Sequence, residues 1–169
     1  MLEVLRAIGK AEGYVVYPDP EHNDGYFQGE YMSLDQCWTA EGSGQYWMQL
    51  AAESEWQGRD EPVEDFYKLA ELKCPWKVLI FSADEDGQKE TLDQFSSWLK
   101  NLKFKLEHEE YLILAFQRAN PLRSNGTYTL SGWCLDATGN SCKLGVRMFG
   151  YSDRKAEKRN APAVDPTLR

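Results

Sequence analysis

The chain is short of the side chains that build imidazole and thiolate metal sites. It has two histidines, His22 and His108. Neither stands at the spacing a zinc site or a Ser-His-Asp triad needs, and both read as surface residues. Its four cysteines, Cys37, Cys74, Cys134 and Cys142, include no CxxC pair, which argues against a zinc ribbon or a dithiol redox motif. Cys37 and Cys74 lie in apolar surroundings and read as small core residues. Cys134 and Cys142 flank a turn, and a two- or four-residue loop would put them on opposite faces. A reduced, cytoplasmic chain is therefore expected. No apolar run approaches the length of a membrane span, so no membrane association is expected. The opening MLEVLRAIGKAEGY carries acids and no long apolar stretch, unlike a secretory leader.

Basic charge is also scarce. Nineteen Lys and Arg face 27 Asp and Glu, a net charge of −8. That balance counts against tight non-specific binding of nucleic acid, though not against a local basic groove. The one basic block, Arg154, Lys155, Lys158 and Arg159, falls in a segment of low hydrophobicity. Residues 151–169 are expected to form a disordered, solubilising tail behind a single domain over 1–150.

What is present is hydrophobic periodicity. Leu2, Leu5 and Ile8 predict a helix over 2–12 ended by Gly13, and Tyr14–Tyr17 a short strand. Pro62 opens a helix whose face is Phe66, Leu69, Ala70 and Lys73. WKVLIFS, 76–82, is a nearly continuous apolar run, the pattern of a central strand covered on both sides. An acidic loop, ADEDGQKE, leads to a helix with Leu92, Phe95, Trp98, Leu99 and Leu102 on one stripe. EYLILAFQ, 110–117, is a second buried strand, and residues 126–150 form a closing hairpin about Ala137–Asn140. Strands alternating with helices imply right-handed crossovers and a mixed or parallel sheet.

Two acidic strands stand out: Asp35 in YMSLDQCW, then Glu53 and Glu55 in WMQLAAESEW. Strand side chains alternate, so Glu53 and Glu55 share a face. In a hairpin closed at Gly42-Ser43-Gly44, Asp35 stands opposite Glu53, and Leu34, Trp38, Met48 and Leu50 fall on the other face. Converging carboxylates repel unless a cation or proton lies between them. The arrangement reads either as a divalent-metal site or as a solvated acidic hairpin.

This order of helix, acidic hairpin, helix and buried strand resembles the PD-(D/E)XK nuclease-like superfamily over roughly residues 1–118. Asp35 matches its first motif position and Glu53 the second. The resemblance implies an α/β, restriction-endonuclease-like mixed sheet with flanking helices, here extended by the C-terminal hairpin. It implies Mg²⁺ or Mn²⁺ held by Asp35, Glu53 and Glu55, and hydrolysis of phosphodiester bonds in DNA. Where the superfamily has Lys, this chain has Glu55, which supplies no positive charge. Lys68 on the following helix is the candidate replacement; its alternative is a surface pair with Glu64 or Glu71. Lys73 and Lys77 read as ordinary surface or strand-edge charges. Glu12 is the candidate for a further metal-positioning acid. Trp47 and Trp56 are candidates for stacking on bases. The other class of reading is a nuclease-like fold without catalysis, an acidic module that pairs with a basic protein partner.

Overall fold

The computed structural model describes residues 1–21, 31–42, 45–56, 61–103, 108–118 and 128–149. His22, the turn residues Ser43 and Gly44, and the basic tail 151–169 lie outside the described residues. Three helices and seven strands are present among those described: α1 Leu2–Ala11, β1 Val15–Tyr17, β2 Gln36–Gly42, β3 Gln45–Glu55, α2 Glu61–Glu71, β4 Trp76–Ser82, α3 Glu85–Asn101, β5 Glu110–Arg118, β6 Tyr128–Asp136 and β7 Ser141–Phe149. The strands form one mixed sheet in chain order, β1 to β7. Strands β3, β4 and β5 run parallel, and every other neighbouring pair is antiparallel.

The parallel centre follows from its sequence. β4 is flanked on both edges and carries Val78, Leu79, Ile80 and Phe81, all buried. Two connections through helices are needed to keep three strands parallel, and α2 and α3 supply them. Both helices pack on the same face, where Phe66 and Leu69 of α2 meet Phe95 and Leu99 of α3 over Leu79, Phe81, Tyr111 and Ile113. Phe66 is the keystone: its ring stacks on Phe95 at 3.9 Å between centroids and tilts against Tyr111 at 5.3 Å. The opposite face carries Val16, Trp38, Leu50, Ala52, Val78 and Ile80 with Leu5 of α1. Helix α1 comes close enough to lie there because position 9 is glycine. A Cβ on Gly9 would stand 2.7 Å from Trp38 Nε1 and 2.9 Å from Val16 Cγ2.

Several local expectations are corrected. The acids of 84–90 are not a loop: Asp84 caps α3, its carboxylate accepting from Gly87 N–H at 2.8 Å, and Glu85 and Asp86 fill the first turn. Negative charge there suits the helix dipole. The first acidic strand begins at Gln36, so Asp35 lies just before it. Residues 31–34 form a turn instead, with Met32 and Ser33 at φ 57° and 56°. Among the described residues, apolar side chains lie on both faces of the hairpin. Leu34 and Met48 pack into the cluster under α2 and α3, whereas Trp38 and Leu50 pack on the α1 side. A register shift between Trp38 and Thr39 separates Met48 from Leu50, since one extra residue flips every side chain beyond it, and Leu34 lies in the 31–34 turn, outside the alternation of β2.

Candidate functional site

The site lies where β3 ends. In open α/β sheets the carboxyl ends of parallel strands are where ligands bind, because loops and helix N-termini converge there. Glu53 and Glu55 stand opposite Leu79 and Phe81 of β4, so both project to the side of α2 and α3. Glu53 is only 3% exposed. A carboxylate so placed loses its hydration and needs partners from the fold. Lys68, one turn from the C-terminal end of α2, provides the main one: its ammonium forms an ion pair with Glu53 Oε1. The Asp35 N–H donates to Glu53 Oε2 at 3.2 Å.

Lys68 is held from three sides. Besides Glu53 it reaches Asp65 Oδ1 at 3.5 Å, one turn back on its own helix, and donates to the Ser33 carbonyl at 3.0 Å. The Ser33 carbonyl is presented by the 31–34 turn, in which two consecutive non-glycine residues adopt the left-handed conformation. That conformation costs energy wherever it occurs. The partners expected for a surface lysine, Glu64 and Glu71, are not the ones it takes.

Burial pushes the Glu53 carboxyl up to about 7; Lys68 and the Asp35 N–H offset only part of it. Asp65 is also shifted up, by burial first and then by the negative charge of Glu55 and Asp35, against the pull of Lys68. For Lys68, burial alone would lower the ammonium, but Glu53 and Asp65 outweigh it and the net shift is upward. The cluster is thus one well-held cation among acids that share it.

The Asp35 carboxylate is bonded to Ser54. Its Oδ2 accepts both the N–H and the hydroxyl of Ser54, each at 2.7 Å. Glu55 is half-buried on the Glu53 side of the sheet. Glu12 is exposed at the C-terminal cap of α1, and His108 is exposed. Trp47 and Trp56 are both exposed. Trp56 leans on Phe116, which packs with the α1 face of the sheet, opposite the side to which Glu53 points.

The donor set tests whether a hard cation would fit. Asp35, Glu53 and Glu55 offer carboxylate oxygens, the ligands Mg²⁺ and Mn²⁺ take. Glu53 Oε1 is buried and has no aligned hydrogen-bond donor, the Lys68 contact being ionic. That oxygen already faces the Lys68 ammonium, so a metal ion would compete with Lys68 for it. Among the described residues, no group of three His, Cys, Asp or Glu side chains is arranged to hold one.

Sequence reasoning missed Asp65, which reads as one of several first-turn acids; the signal was its spacing three residues before Lys68. It also misplaced Lys77. That lysine is fully buried, 2.9 Å from Glu109 Oε2, with Tyr111 donating to the same oxygen at 3.0 Å and accepting from Lys77 at 3.1 Å. A groove of about 700 Å³ on the outer side of α2 and α3, floored by Tyr67 and Trp98, contains none of the candidate residues. No helix among the described residues is long and apolar enough to cross a membrane. Comparison of the chain with protein-family models, with curated proteins and with solved structures finds no match.

Proposed function

We propose that the protein is a metal-dependent nuclease of the PD-(D/E)XK-like kind, in which Lys68 takes over the work of the motif lysine. One observation carries this reading: Lys68, the candidate replacement for the motif lysine, pairs with Glu53 at the carboxyl end of β3, where the Asp35 backbone N–H bonds the same carboxylate. The strained turn at Met32 and Ser33 beside that point supports it, because strain is retained where geometry matters to function. The restriction-endonuclease-like arrangement of the sheet, with β6 and β7 as an addition, belongs to the same proposal.

Asp35 and Glu53 would hold a Mg²⁺ or Mn²⁺ ion, with Glu55 as a further ligand or base. Such an ion, when bound, acidifies its water and neutralises charge on a phosphodiester. The chain's own part is electrostatic. Lys68 brings a fixed positive charge to a site otherwise acidic, where a transferring phosphate needs it. Glu53, titrating near neutrality, is poised to give up its proton as a cation arrives. A net charge of −8 makes binding of DNA dependent on this local charge and on low salt.

The test is nicking of plasmid and of single-stranded DNA at low salt with Mg²⁺ or Mn²⁺. Cleavage should vanish with chelator, with Asp35→Ala and with Glu53→Ala, and fall by roughly a hundredfold in Lys68→Ala. If pure protein cuts neither substrate with either metal, and neither metal raises the melting temperature, the nuclease reading is rejected.

A second reading draws on the Ser54 bonds to Asp35 and on Lys68 standing against Glu53 where a metal would go. Under it the fold is a non-catalytic acidic module for a basic protein partner. It predicts an intact Lys68–Glu53 pair whatever the metal concentration.

A further inference from the structure

We propose that Cys134 and Cys142 are a reversible disulfide site that staples β6 to β7. The pairing of the two strands overturns the expectation that these cysteines face apart. They are direct cross-strand partners, next to Leu135 and Ser141, which closes the register at the turn. Residues directly opposite in an antiparallel pair project to the same face. The last facing residues are Leu135 and Ser141, with five residues, 136–140, between them; that odd number, where an even one was expected, brings the thiols to one face.

The turn holds this register firmly. Asp136 Oδ1 accepts from Thr138 N–H at 2.8 Å, from the Thr138 hydroxyl at 2.6 Å and from Asn140 N–H at 3.1 Å. Gly139, at φ 79°, sits so close to α3 that a Cβ would stand 2.4 Å from the Ser96 carbonyl oxygen. The irregularity in the ladder falls between Gly132 and Trp133, farther from the turn, and leaves the cysteines in register. The Asp136 N–H bonds the Asn140 carbonyl at 3.0 Å, so residues 136 and 140 are a hydrogen-bonded pair. Two residues along, 134 and 142 are again such a pair, with Cα atoms about 5.5 Å apart. That Cα separation is one a disulfide spans, while the Cβ atoms of a hydrogen-bonded pair stand wider than in a relaxed disulfide, which makes the bond easier to reduce.

Accessibility separates this pair from the other two cysteines. Cys142 is exposed and Cys134 is half-buried, whereas Cys37 and Cys74 are buried. Burial also pushes the Cys37 thiol up to about 12 and the Cys74 thiol up to about 11, which leaves almost no thiolate to react. Burial raises Cys134 as well. Exchange therefore starts at Cys142. Its thiolate attacks a small-molecule disulfide such as oxidised glutathione, forms a mixed disulfide and expels one glutathione thiolate. Cys134 then attacks the Cys142 sulfur, its proton going to the second departing glutathione. Two protein thiols are oxidised and one glutathione disulfide is reduced to two thiols. Exposed disulfides have more oxidising potentials than buried structural ones, so reduced glutathione reverses the bond. The site is independent of the nuclease reading.

The experiment exposes the full-length native chain to oxidised glutathione, blocks remaining thiols and maps peptides by mass. Linked Cys134 and Cys142 peptides, unmodified Cys37 and Cys74, and recovery of both thiols in reduced glutathione are expected. Amide exchange of β7 should slow in the oxidised form. Cys134→Ser should accumulate glutathione on Cys142, and Cys142→Ser should leave Cys134 unlinked. A fully reduced parent chain, a persistent glutathione adduct on Cys142, or links between chains only would overturn the proposal.

Discussion

Two Lys–Glu pairs stand at opposite ends of the parallel strands, and they differ in almost everything but composition. Lys77 and Glu109 are both 0% exposed, at the amino ends of β4 and β5, and Tyr111 closes them into a triangle. The Lys77 ammonium also stands 4.7 Å from the Tyr111 ring centre, a favourable cation–π position. Lys68 and Glu53 lie at the carboxyl end of β3, with Lys68 37% exposed and Glu53 buried. The first pair is sealed from solvent, although Glu109 Oε1 is left there without a hydrogen-bond partner. The second has an accessible cation, a carboxyl titrating near neutrality and acids to spare. A buried pair that is closed is structural; one that is open on one side has the means to exchange its partner for a ligand.

The sharpest way to break the comparison is to remove one partner of the closed pair. Glu109→Ala should destabilise the fold by about 3–5 kcal/mol, because the Lys77 charge is then buried alone. The double change Lys77→Met with Glu109→Leu should recover most of that loss, since it removes both charges and keeps the volume. Urea denaturation measures both. A single variant as stable as the parent chain would show that the pair is not the clamp described here.

The open pair should reveal itself through pH. The folded Glu53 carboxyl sits near 7, against an ordinary 4.5, so the folded state holds this proton more tightly than the unfolded chain. Its contribution to stability is thus fully present below about pH 4.5 and is lost as pH rises through 7. The difference amounts to roughly 3 kcal/mol at most. Glu53→Gln should remove this slope, measured as the difference between variant and parent stability across pH 4 to 8. Parallel curves would mean that Glu53 does not titrate in this window.

Lys68→Ala should cost less, about 1–2 kcal/mol at pH 8, because Glu53 is then buried without its cation. Near pH 5 the loss should shrink, since Glu53 is protonated there and has no charge to compensate. A loss independent of pH would point to packing of the Lys68 stem instead. The smallest effect belongs to a residue outside both pairs. Asp84→Ala should cost about 1 kcal/mol by leaving the first turn of α3 uncapped. A neutral result at Asp84 would leave the contrast between the pairs intact and revise only the account of α3.

The sequence by itself determined the parallel centre. Val78 to Phe81 and the apolar run of β5 report burial on both faces, and the stripe Leu92, Phe95, Trp98, Leu99 reports a helix, because each pattern is local and repeats with the period of its own backbone. Alternation likewise put Glu53 and Glu55 on one face. Only the tertiary structure decided what those residues meet. Lys77 reads as a surface lysine because its compensating groups, Glu109 and Tyr111, lie on another strand. The split of Met48 from Leu50 depends on one irregular residue pair, and the meeting of Cys134 with Cys142 on the length of one turn. The turning of Asp35 toward Ser54 is decided by hydrogen bonds across two strands. Periodicity carries the shape of each element, but register and charge pairing are settled between elements, where a single residue changes which face a side chain joins.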